Sequence, residues 1–218
     1  MIVAIYSTRP WDETSLREAN TSHELRFLEA KLDHTTTSLA SGADGVCVFV
    51  NDLVDRQVIE DLAGLGIRFL ALRSAGFNHV DLGAAAEHGI TVVRVPAYSP
   101  RSVAEHTIAL ILALDRKIHR AHARVREGNL SLDGLLGFDL GSRSVGIVGT
   151  GKIGVTVARL LSGFGCRLFG YGVNENPDAL DLGLEYVDLK TLWAESDIIS
   201  LHAPLMPETY HLVDASAI

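Results

Sequence analysis

Residues 144–154 read Ser-Val-Gly-Ile-Val-Gly-Thr-Gly-Lys-Ile-Gly, a short β-branched apolar run that feeds directly into G-x-G-x-x-G. Glycines at that spacing serve one chemistry well, the seating of a dinucleotide pyrophosphate. Gly149 can take the tight turn with φ > 0, Gly151 lets the backbone approach the phosphates with no Cβ in the way, and Gly154 allows a helix to pack closely on a strand. Lys152 and Ile153 open that helix, whose unpaired N–H groups and dipole favour an anion. The motif alone is weak. Its context strengthens it, because residues 155–161 continue as an amphipathic helix and residues 167–171 return as a second strand.

Positioning such a site requires alternating strands and helices, and the chain supplies them. Apolar runs at 2–6, 25–28, 45–50, 68–73 and 91–95 alternate with helical patterns from about residue 12, at 55–65 and at 81–88. This pattern predicts an α/β fold with a doubly wound parallel sheet of flavodoxin type over residues 1–99. A second unit, residues 100–218, starts where Ser99 can cap a helix and Pro100 fits its first position; Ser102 and Glu105 also have capping-box spacing. One long helix is predicted to about residue 126, then a Gly/Leu-rich loop over 128–141, then the Rossmann strands, with a further one at 197–201.

Composition narrows the function classes. The 218 residues are 47% hydrophobic, and the net charge is −8 with no cluster of lysine or arginine, which argues against nucleic acid as a partner. The N-terminal apolar run is too short for a signal segment, and residues 103–114 fall far below spanning length and contain Glu105 and His106. A cytoplasmic protein with no membrane partner is expected. Cys47 and Cys166 are far apart, lack metal-ligand spacing and are predicted to be reduced core thiols.

Several segments together resemble the D-isomer-specific 2-hydroxyacid dehydrogenases, most closely their fermentative D-lactate dehydrogenase branch. They are Leu-Arg-Ser-Ala-Gly-Phe-Asn-His-Val-Asp at 72–81, Arg-Val-Pro-Ala-Tyr-Ser-Pro at 94–100, Val-Ala-Glu-His at 103–106, the glycine motif, Glu-Tyr-Val-Asp-Leu at 185–189 and Ser-Leu-His-Ala-Pro-Leu at 200–205. The resemblance spans essentially the whole chain. It implies a flavodoxin-like substrate domain, incomplete here, followed by a C-terminally truncated Rossmann domain. The implied reaction is hydride exchange between NADH and pyruvate, giving D-lactate, or a related 2-oxo/2-hydroxy acid pair.

The resemblance also assigns residues. The backbone of Ser74, Ala75 and Gly76 would receive the substrate carboxylate, which suits a small-residue turn exposing N–H groups after a strand; a plain strand-to-helix turn is the alternative. Tyr98, at the domain junction, would reach the 2-oxo acid or the nicotinamide, or else serve as an aromatic hinge. His202, Ala203 and Pro204 end a strand at its carboxyl edge, where ligands of parallel sheets collect, and the resemblance places Ala203 and Pro204 against the cofactor with Thr209 nearby. His106, His119 and His122 are expected to pack or face solvent rather than act as bases.

Two departures stand out. The family carries an aspartate after the tyrosine or phenylalanine ending the second Rossmann strand, where it binds the ribose hydroxyls; here that position is Gly172, with Glu175 three residues on. NAD is the implied cofactor, and NADP remains open. The family's catalytic arginine, glutamate and histidine belong to a segment after the last one matched here, so the 218 residues are expected to be inactive alone. A catalytically silent nucleotide-binding or oligomerisation module is the alternative reading. A homodimer is expected through the helix at 100–126, because Ile108, Leu110, Ile111, Leu112 and Leu114 spread apolar side chains beyond one core-facing stripe.

Overall fold

The short apolar runs of the first hundred residues do form one parallel sheet. In the computed structural model, which describes residues 1–215 and 217, strands β1 (Ile2–Ile5), β2 (Glu24–Phe27), β3 (Gly45–Val48), β4 (Phe69–Leu72) and β5 (Thr91–Arg94) pair in the order β2-β1-β3-β4-β5. That is the flavodoxin-like order. β3 is buried at every position, as a central strand covered on both faces must be. Helices α1 (Pro10–Ala19), α2 (Arg56–Gly64) and α3 (Leu82–Glu87) connect the strands. Asp55 and Asp81 cap α2 and α3 by accepting the N–H groups of Val58 and Ala84. α1 starts at Pro10, two residues before the predicted start, with the Asp12 carboxylate accepting the N–H of Arg9. Tyr6, Val46, Val58, Leu62 and Leu70 lie in the core of this unit.

Asp52, which sequence reasoning did not single out, ties the carboxyl ends of these strands together. It is 2% exposed and accepts from the Ser7 hydroxyl at 2.6 Å, the Phe49 N–H at 2.6 Å and the Leu32 N–H at 2.9 Å. Ser7 sits at φ 51°, a left-handed conformation that this bond helps to hold. Asp52→Ala strands those donors in the interior and is expected to cost about 3 kcal/mol in urea unfolding; a loss below about 1 kcal/mol would contradict the anchoring role.

The second unit, from Ser99 onward, contains α4 (Pro100–Asp115), α5 (Ile118–Arg126), β6 (Ser144–Val148), α6 (Lys152–Ser162), β7 (Arg167–Tyr171), α7 (Pro177–Leu180), β8 (Glu185–Tyr186), α8 (Leu189–Glu195) and β9 (Ile198–Leu201). Its strands are parallel in the order β8-β7-β6-β9. α4 packs on α6, with Ala104 and Ile108 in the same core as Val155, Val157 and Leu161.

The single helix expected over 100–126 is two helices. Lys117 has φ 50° and ψ 37°, a left-handed geometry that cannot continue the i→i−4 ladder. Contacts from the loop at 128–141 hold the break: Asp115 is buried and accepts the Phe138 N–H at 2.8 Å, and the Lys117 ammonium donates to the Leu136 carbonyl at 2.5 Å. Ser99 does cap α4, accepting the Ser102 N–H, with Pro100 at the first turn. The Ser102/Glu105 capping box does not form, because Ser99 is the cap and Ser102 already lies inside the helix; Glu105 pairs with Arg101 at 2.8 Å. Cys47 and Cys166 are both free, Cys47 buried and Cys166 only half-buried.

Candidate dinucleotide site

β6 and its neighbours create the site. β6 lies between β7 and β9, so the chain leaves it in opposite directions on its two sides, and a crevice opens at the carboxyl ends of the strands. The Val148 carbonyl accepts the His202 N–H at 2.7 Å and the Tyr171 carbonyl accepts the Gly149 N–H at 2.7 Å, fixing three strand ends around the turn. Gly149 has φ 94°, and a Cβ there would come within 2.7 Å of the Ala203 nitrogen and the His202 carbonyl carbon. A Cβ on Gly154 would run into the Gly149 carbonyl oxygen, so α6 can approach the turn only with glycine at that position. Gly151 is different, with nothing within 4 Å of its missing side chain.

A cleft of about 530 Å³ opens here, lined by Gly149, Thr150, Gly151, Gly172, His202, Ala203, Pro204 and Thr209 among others. The α6 N-terminus has no side-chain cap, leaving its first N–H groups available to an anion. Lys152 is exposed and Ile153 packs into the core, so both would serve through the backbone. An open space at Gly151 beside an uncapped eleven-residue helix fits a dinucleotide pyrophosphate.

The rim is held by specific bonds. Burial pushes the His202 imidazole below its usual pKa, so the ring is neutral at pH 7; its Nε2 lies 2.9 Å from the Ser200 hydroxyl. The Thr209 hydroxyl donates to the Pro204 carbonyl at 2.6 Å and accepts the Met206 N–H at 2.8 Å, closing the loop after β9. Sequence reasoning missed a third cluster. Tyr186 donates its phenol proton to Thr150 Oγ1 at 2.7 Å and accepts the Asn176 N–H at 2.8 Å, while the Asn176 side chain donates to the Thr150 carbonyl at 2.9 Å. These residues are 10 to 36 positions apart, and no periodicity links them. Gly172 lies against this cluster and Glu175 is exposed.

In the first unit, the turn after β4 is preorganised. Ser74 is buried and its hydroxyl donates to the Gly76 carbonyl at 2.7 Å, and Arg94 donates to the Ala75 carbonyl at 2.6 Å. Among the described residues, the N–H groups of Ala75 and Gly76 find no protein acceptor. Arg73, just before the turn, donates to the Tyr6 carbonyl at 3.0 Å. His79, in the same segment, has a buried Nε2 without a partner, and burial lowers its pKa. Tyr98 is 69% exposed, and His106, His119 and His122 are exposed as well. Among the described residues, no group of three histidine, cysteine or acidic side chains is placed to hold a metal, and no helix is long and apolar enough to cross a membrane.

Residues 108–218 match the family described as D-isomer specific 2-hydroxyacid dehydrogenase, NAD binding domain. D-lactate dehydrogenase of Escherichia coli is 50% identical over the whole chain, and a 2-hydroxyacid dehydrogenase homolog of Haemophilus influenzae is 50% identical over the same span. The chain covers 67% and 66% of those proteins, about two thirds of their length. The apo structure of the Escherichia coli enzyme superposes with a TM-score of 0.92, over 100% of this chain and 69% of that one. The Aquifex aeolicus D-lactate dehydrogenase complexed with NAD and lactic acid is 33% identical, with a TM-score of 0.85 over 99% of this chain and 64% of that one. With its glycine-lined cleft, its sheet order and a sequence match running from end to end, the chain belongs to the D-isomer specific 2-hydroxyacid dehydrogenases.

Proposed function

We propose that the chain forms the cofactor site and the carboxylate-receiving turn of a D-2-hydroxyacid dehydrogenase, specifically a D-lactate dehydrogenase that interconverts pyruvate and D-lactate. The observation that carries this reading is the cleft at the α6 N-terminus, open at Gly151 and walled by Gly149, His202, Ala203 and Pro204. Half-identity to the Escherichia coli enzyme along the whole chain supports the choice of substrate.

In this reading residues 1–99 form the substrate domain and residues 100–218 the cofactor domain. The nicotinamide, when bound, supplies or takes the hydride. The protein's residues bind and orient. The N–H groups of Gly151, Lys152 and Ile153 would hold the pyrophosphate, and Ala203 and Pro204, on a loop braced by Thr209, would line the cofactor together with His202. The unpaired N–H groups of Ala75 and Gly76, with Ser74 bracing the turn, would receive the substrate carboxylate, and Tyr98 is assigned to binding substrate or nicotinamide. The test is stereochemical. Protein carrying this chain in its natural gene product should oxidise NADH with pyruvate and reduce NAD with D-lactate but not L-lactate; activity with neither, or with L-lactate alone, overturns the proposal.

The protein is further proposed to be a cytoplasmic homodimer. Leu110 and Leu114 on α4 are 52% and 68% exposed, and Ile118 at the start of α5 and Leu130, Leu132 and Leu136 in the following loop are exposed as well. A surface of that kind marks an association site. Light scattering should give a dimer that Leu110→Glu converts to monomer; a folded monomer of the unmodified chain at micromolar concentration would rule it out.

A further inference from the structure

We infer that the adenosine end of the cleft accepts a 2′-phosphorylated nicotinamide dinucleotide nearly as well as the unphosphorylated one. The inference rests on the dinucleotide reading above and concerns what its ribose subsite discriminates. In NAD-selective Rossmann sites an acidic side chain about twenty residues past the glycine motif bonds the ribose hydroxyls, and its charge disfavours a 2′-phosphate. Gly172 holds that place here and supplies no carboxylate. A Cβ built on Gly172 would sit 3.1 Å from Thr150 Oγ1, so the Thr150 hydroxyl faces the space the carboxylate would fill.

The direction of the hydrogen bonds sets the polarity of that space. Thr150 is only 6% exposed, is among the residues lining the cleft, and carries its hydroxyl next to the missing Gly172 side chain. Tyr186 accepts the Asn176 N–H and has a single proton to give, which goes to Thr150 Oγ1. The proton of Thr150 itself finds no acceptor among the described residues, which makes this buried hydroxyl a donor beside Gly172. A donor serves a ribose hydroxyl and a phosphate oxygen alike, whereas a carboxylate serves only the hydroxyl. The subsite is inverted, presenting a donor where selective sites present an anionic acceptor.

Two further groups decide the size of the effect. Glu175 carries the nearest carboxylate along the chain and lines the cleft, but it is exposed, so solvent and salt screen much of its repulsion of a phosphate. Among the described residues no lysine or arginine lines the cleft, so a 2′-phosphate gains no ion pair there. The balance is near parity between the two cofactors and not a reversal toward NADPH.

Fluorescence titration of the 218-residue chain with NADH and with NADPH tests this. The NADPH dissociation constant is expected to be no more than about tenfold above that for NADH. Binding of NADH with NADPH more than about tenfold weaker overturns the inference and leaves the dinucleotide reading standing; saturable binding of neither overturns both. Gly172→Asp should weaken NADPH relative to NADH by at least about tenfold, and an unchanged ratio in folded variant contradicts the role of the missing carboxylate. Because a side chain at 172 crowds Thr150, a second pair supplies an independent arm. Thr150→Val, without the donor, should weaken NADPH binding by more than about threefold and Thr150→Ser should recover it; equal NADPH affinity in the two variants removes Thr150 from the explanation.

Discussion

Gly151→Asp is expected to weaken NADH binding by about a hundredfold or more with little change in folding stability. The reason is geometric and electrostatic at once. A Cβ on Gly151 meets nothing within 4 Å, so the folded chain has room for the side chain. The room it takes is the cleft itself, at the N-terminus of α6, where the pyrophosphate is to be held. Like charges about 4 Å apart near a protein surface repel by about 4 kcal/mol, which converts to far more than tenfold in affinity. Titration with NADH beside a urea unfolding curve separates the two effects. Retained affinity within about threefold of the unsubstituted chain would move the phosphate site elsewhere.

Gly149→Ala should fail differently, losing both stability and binding. The backbone at Gly149 has φ 94°, which an alanine occupies only under strain, and the added Cβ would press on the Ala203 nitrogen and the His202 carbonyl carbon at 2.7 Å. Those contacts are backbone atoms of the segment that leaves β9, so relief requires β6 and β9 to separate at their carboxyl ends. A cost of about 3 kcal/mol is expected, together with loss of NADH affinity as the cleft wall shifts. Unfolding within about 0.5 kcal/mol of the unsubstituted chain would contradict the packing described at the turn. Adjacent glycines of one motif are thereby assigned separate duties, Gly149 to the turn and Gly151 to the ligand.

Much of this was legible because local pattern and tertiary role coincide. The five apolar runs of the first unit became strands in the flavodoxin-like order, and residues 167–171 became β7 with the bounds expected. The glycine motif was readable for the same reason: a strand, a tight turn and a helix follow one another without interruption. Where a distant contact decides the outcome, the sequence was silent. Lys117 is a good helix former by propensity, and only the contacts of Asp115 and Lys117 with residues 136–138 explain the break between α4 and α5. Asp52 reads as a loop residue, yet its three accepted bonds come from segments up to 45 positions away. The Tyr186–Thr150–Asn176 cluster was invisible in the same way, although the absence of an acid at Gly172 had marked the place where it matters.

The most direct measurement is equilibrium binding of NADH to the folded 218-residue chain, followed by cofactor fluorescence and by competition with NAD. Saturable binding at one site per chain, displaced by NAD and lost in Gly151→Asp, is the expected result. A chain with native circular dichroism that shows no saturable NADH binding, or one whose binding survives Gly151→Asp unchanged, would contradict it.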